Sequence, residues 1–158
     1  MRFLKNQGPG FYVELGAHHP IHASNTYLFY LNGWSGICID AMPGSMSNFK
    51  KCRPRDICLE VALGEENKIS NFYIFNETEM NTFSEERAHA IVESGKFRLI
   101  KTVSIPQKNI NSVLTEQNVT RTIDFLSIDK KDMPLSLQRW PVCPIQYKNY
   151  NRGVLYCN

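Results

Sequence analysis

The stretch Phe11-Tyr12-Val13-Glu14-Leu15-Gly16-Ala17-His18-His19-Pro20 opens as an apolar run and closes as a turn. Gly8-Pro9-Gly10 breaks the chain just ahead of it. A short apolar and aromatic run bounded by glycines reads as a buried strand, Phe11 to Leu15, closed by Gly16. A glycine just past a strand lets the backbone turn sharply and lets a ligand approach without meeting a side chain. In open parallel sheets, ligands sit beyond the carboxyl ends of the strands, where the strand order reverses. The helix that follows such a turn offers N–H groups suited to a carboxylate or phosphate.

The pattern continues on both sides of the next turns. Asn25 to Leu31 reads as a helix capped by Ser24 or Asn25, with Tyr27, Leu28 and Leu31 on its apolar face. Ile37-Cys38-Ile39-Asp40 is a second buried strand. Ser45 caps a helix through Met46, Phe49 and Lys50, which Pro54-Arg55-Asp56 breaks. Ile57 to Leu63 reads as a third strand, ended by Gly64. Strands that alternate with helices in this way form parallel sheets. Further on, Ile69 to Phe75 and Phe97 to Ile105 alternate like strands with one wet face, and Ser84 to Ser94 and Asn109 to Glu116 read as helices. Ile123 to Asp129 is the clearest late strand, and it ends in an acid.

The fold class is therefore α/β, a Rossmann-like, mostly parallel sheet with flanking helices, incomplete at the C-terminal end. Residues 1–132 form the ligand-binding domain. Residues 133–158, with Pro134, Pro141, Pro144 and several tyrosines, form an out-of-pattern tail.

Composition narrows the function classes. The 158 residues suffice for one domain with a real core. Net charge is only +3 and no Lys/Arg block stands out, so no nucleic-acid partner is expected. No apolar segment has the length of a membrane span, and Met1-Arg2-Phe3-Leu4-Lys5 does not open a secretory signal. The expected location is cytoplasmic, with no membrane partner. The five cysteines include no C-x-x-C pair, which argues against a disulfide framework or a zinc site. His18, His19 and His22 lack the context of a metal motif, so no metal is expected.

Asp40 ends the second strand 24 residues after Gly16. An acid at that place accepts hydrogen bonds from both hydroxyls of a ribose. A dinucleotide would need G-x-G-x-x-G in the first turn, whereas here a single glycine is followed by two histidines and a proline. A nucleoside with a smaller tail fits better, such as the amino-acid end of S-adenosylmethionine. Glu14 would then orient the turn or reach the ligand's ammonium through water.

The ordered series Phe11 to Pro20, Ser24-Asn25-Thr26-Tyr27, Gly33 to Ala41, Pro43-Gly44, Arg53-Pro54-Arg55-Asp56, Ala62-Leu63-Gly64, Asn81-Thr82-Phe83-Ser84 and Ile123 to Asp129 resembles the FkbM methyltransferase domain over roughly residues 8 to 130. The resemblance implies S-adenosylmethionine as methyl donor and O-methylation of a small hydroxyl-bearing acceptor, often a sugar. By position, it implies that Glu14, Gly16, Ala17 and His18 line the methionine end and that Asn25 and Thr26 sit at the mouth of the first helix. Asp40, Ala41 and Ala62 would serve the ribose and adenine end. Asp129 would face the transfer site, with Asp129 or His19 as the base.

The family pattern usually continues with a Val-Glu-Gly-like segment and further strands, where this chain has Lys130-Lys131-Asp132. Two other readings follow. One is a catalytically inactive remnant or cofactor-binding module whose exposed sheet edge favours self-association. The other is a nicotinamide-dependent reductase, against which the single-glycine turn argues.

Overall fold

The computed structural model describes residues 8–128 and the two strands 145–147 and 154–157. Strand β1, Phe11–Leu15, is flanked on one side by β2, Ser35–Asp40, and on the other by β7, Phe125–Ile128, both parallel to it. β3, Ile57–Glu60, lies parallel outside β2. The chain thus steps outward from β1 through β2 to β3, then returns to the far side of β1 as β7. That reversal makes the carboxyl end of β1 the topological switch point, the place where open α/β sheets bind ligands.

Side chains alternate across β1 and create two cores. Val13 and Leu15 pack with Ile37, Ile39, Leu126 and Ile128, covered by Ile110 and Val113 of α4, Ile110–Glu116. Tyr12 packs on the other face with Cys38 and Phe125. There it meets Phe29 and Tyr30 of α1, Tyr27–Leu31, and Met46 and Phe49 of α2, Met46–Cys52. Helices therefore cover both faces, and strands buried on both sides read as continuous apolar runs rather than alternating ones.

The segment read as a single third strand divides in two. β3 stops at Glu60, and β4, Ala62–Leu63, joins a separate three-stranded sheet. The cause is Val61. Its N–H donates to the Asp40 carbonyl oxygen and its side chain enters the first core, while Ala62 packs into another cluster with Phe72, Ile74 and Ile105. In that second sheet β6, Leu99–Lys108, lies between β4 and the antiparallel β5, Lys68–Phe75. Between β5 and β6 run a short 3₁₀ turn, Thr78–Met80, and helix α3, Glu85–Glu93. The Ser84 hydroxyl caps α3 by accepting from the Arg87 N–H.

Within the stretch set apart as a tail, β8, Ile145–Tyr147, and β9, Val154–Cys157, extend the large sheet antiparallel beyond β7, giving the order β3-β2-β1-β7-β9-β8. Among the described residues, no helix is long and apolar enough to cross a membrane.

Candidate functional site

The turn leaving β1 crosses directly to the end of β2. The Gly16 and Ala17 N–H groups both donate to the Ile39 carbonyl oxygen, at 2.9 and 3.0 Å. The His18 N–H donates to Asp40 Oδ2 at 2.8 Å, and the Met42 N–H to Asp40 Oδ1 at 2.8 Å. Gly16 has φ of +76°, which explains the glycine; His18 and Ala23, at +53° and +55°, hold the same left-handed region without that freedom. A non-glycine residue there costs about 1–2 kcal/mol, so the surrounding bonds must hold the loop in shape.

Gly16, Ala17, His18 and Asp40 are therefore brought together at the switch point. Gly16 and His18 are exposed, Asp40 is half-buried, and the Ala17 methyl is buried in the core beneath. A carboxylate offers roughly four lone-pair sites. Asp40 spends part of that capacity on His18 and Met42 and retains room for two hydroxyl donors. Beside it, Ala41, Met42 and Phe83 pack half-buried against the cluster containing Ala62, forming an apolar wall suited to a flat base. Asn81 reaches the same wall, its Nδ2 lying 3.8 Å from Met42 Sδ. An acid with accepting capacity left beside apolar side chains is the combination that an adenosyl group would need.

Glu14, Asn25 and Thr26 form a second group, behind the turn. Glu14 is only 2% exposed. Its Oε1 accepts from the Asn25 N–H at 3.0 Å, and its Oε2 accepts from the Thr26 hydroxyl at 2.5 Å and the Ser24 hydroxyl at 3.4 Å. Burial raises the Glu14 carboxyl above the usual carboxylate range, against the opposing pull of Thr26, Arg53, Asn25 and Ser24. The Thr26 and Tyr27 N–H groups donate to the Ser24 hydroxyl. Of the N–H groups leading into α1, those of Asn25, Thr26 and Tyr27 are thus occupied from within, by Glu14 and Ser24. Asn25 bridges to β7, its Nδ2 donating to the buried Ser127 Oγ at 2.9 Å.

His19 folds its ring back on its own loop. Its Nδ1 accepts from the Ile21 and His22 N–H groups at 3.1 and 3.0 Å, so the neutral ring carries its proton on Nε2. Asp129 lies outside the described residues. No group of three or more His, Cys, Asp or Glu that would hold a metal occurs among the described residues.

At the centre of the buried group is Arg53, which the sequence offers only within the family-like run Arg53-Pro54-Arg55-Asp56 and marks with no role. Arg53 is fully buried. Its Nε donates to Asp56 Oδ2 at 2.7 Å, its Nη1 to the Pro20 carbonyl at 3.3 Å and to Ser24 Oγ at 3.1 Å, and its Nη2 to Tyr12 Oη at 2.9 Å and Thr26 Oγ1 at 2.7 Å. Glu14 Oε2 lies 3.7 Å from Nη1. A signal for it exists in β1. Alternation puts Tyr12 and Glu14 on one buried face, and a buried acid requires a cation or hydrogen-bond donors.

None of the curated proteins and none of the solved structures matches the chain. A family model described as the methyltransferase FkbM domain matches residues 14–131, which include both strand ends, the apolar wall and Arg53. That span is well over half of the 158 residues, and the chain belongs to the FkbM methyltransferase domain family.

Proposed function

We propose that this chain binds S-adenosylmethionine at the carboxyl ends of β1 and β2 and methylates a hydroxyl of a small molecule, a sugar being one such acceptor. The carrying observation is the hydrogen bond from the His18 N–H to Asp40 Oδ2. It sets the glycine turn and the acid side by side at the switch point, where one adenosyl ligand would span both. In this reading Asp40 holds the ribose hydroxyls, Ala41, Met42 and Ala62 bound the adenine, and Gly16, Ala17 and His18 form the floor under the methionine end. Glu14 and Thr26 shape that floor from behind.

When bound, the cofactor would supply a methyl group on a sulfonium. The protein's share of the reaction is to hold the acceptor oxygen in line and to take its proton. Asp129 is the base we propose. His19 is the weaker choice, because the lone pair of its Nδ1 already faces two backbone N–H groups.

Isothermal titration with S-adenosylmethionine tests the binding half. Saturable binding is expected for the wild type, with at least a tenfold loss in Asp40→Ala, roughly the worth of one charge-assisted hydrogen bond. Absence of binding in the wild type defeats the proposal. Transfer of a labelled methyl group to a panel of hydroxyl acceptors tests the second half, and binding without transfer to any acceptor favours the cofactor-binding module instead.

A further inference from the structure

We infer that Arg53 is the positioning residue of the methionine-end loop. The inference rests on the cofactor reading above and says which side chain gives that site its shape. A guanidinium has five N–H donors in a rigid fork. All five are used here. Two go to the body of the domain, at Asp56 and Tyr12; three go to the loop between β1 and α1, at Pro20, Ser24 and Thr26.

The body side is itself fixed. The Tyr12 hydroxyl donates to the Asp56 carboxylate at 2.7 Å, and Asp56 Oδ1 also accepts from the Gly36 N–H at 3.0 Å. Asp56 is thereby anchored to β1 and β2 at once. The rings of Tyr12, Tyr30 and Phe49 lie 5.3–5.4 Å from the guanidinium carbon and close the pocket around it. The loop it grips holds two of the three non-glycine residues at positive φ among the described residues, His18 and Ala23. Arg53 therefore works through the loop without touching the ligand. Asp40 fixes the near end of the same loop at His18, and Arg53 fixes the far end.

Lysine keeps the charge but replaces the planar fork with a single ammonium carrying three donors. Arg53→Lys cannot span Asp56 and the three loop acceptors together. The loop should loosen, while Asp40 and the apolar wall stay in place.

The test compares two ligands by titration on the full chain: S-adenosylhomocysteine, which carries the amino-acid end, and 5′-methylthioadenosine, which lacks it. For Arg53→Lys, affinity for S-adenosylhomocysteine is expected to fall about tenfold or more, while affinity for 5′-methylthioadenosine changes less than about twofold. A general loss of folding would weaken both alike, so equal weakening overturns the inference, and so does no change in either. Should Arg53→Lys fail to fold, Ser24→Ala carries the same comparison. That variant removes one of the three loop acceptors of Arg53, together with the hydroxyl that the Thr26 and Tyr27 N–H groups donate to and that donates to Glu14, and is expected to weaken only S-adenosylhomocysteine, by a few-fold; equal or absent effects on the two ligands overturn the inference there as well. If the wild type binds neither ligand, the cofactor reading fails, and the positioning role fails with it.

Discussion

At the scale of single residues, Glu14 carries the clearest energetic signature. Its carboxyl is held above the ordinary range chiefly by burial. A carboxyl raised by folding takes up protons more readily in the native state than in the unfolded chain. Its contribution to stability is then greatest below the unfolded value and is lost as pH rises toward the folded one. The difference in melting temperature between wild type and Glu14→Gln should shift in favour of the wild type as pH is lowered from 7 toward 5. A difference that stays flat, or moves the other way, contradicts this. Whether a residue could be read from the sequence depended on how local its partners are. Gly16 and Asp40 announce themselves by standing at strand ends. Arg53 does not, because its acceptors come from positions 12, 20, 24, 26 and 56, and only the folded chain gathers them.

At the scale of elements, β1 was legible to the residue. Its apolar run is bounded by Gly10 and Gly16, and the observed strand is Phe11–Leu15. The break between β3 and β4 was not legible, since Ile57 to Leu63 is continuously apolar apart from Glu60. What divides it is the distant bond from the Val61 N–H to the Asp40 carbonyl. The pairing of β1 with β2 depends on Gly36. A Cβ built there would lie 2.1 Å from the Tyr12 carbonyl oxygen, and backbone cannot give way as a flexible side chain would. Gly36→Ala is expected to destabilise the protein by about 3 kcal/mol or more. Urea unfolding followed by circular dichroism measures this, and a loss below about 1 kcal/mol would show that the two strands part more easily than their spacing implies. For α2, Phe49 is fully buried against both Tyr12 and Arg53. Phe49→Ala is expected to cost about 3–5 kcal/mol in the same assay.

At the scale of the whole molecule, the two sheets differ in how firmly they are held. β1 is bonded on both edges and buried on both faces. β6 pairs with β5 along its length, but with β4 only at Gln107 and Lys108, and Leu99 and Ile100 are exposed. Amide exchange should follow that division, with β1 and β2 opening only on global unfolding and the Leu99 end of β6 exchanging sooner. Uniform protection across both sheets would contradict it. The parallel core was readable from the alternation of strands and helices. The return of the chain to β7 across β1, which creates the switch point, was not, because sequence order does not state strand order.

The most direct test of the central claim is a crystal structure with S-adenosylhomocysteine bound. Both ribose hydroxyls are expected within roughly 2.5–3.2 Å of the Asp40 carboxylate, with the amino-acid end lying over Gly16. A ligand seated elsewhere, or a ribose that leaves Asp40 to solvent, would contradict it.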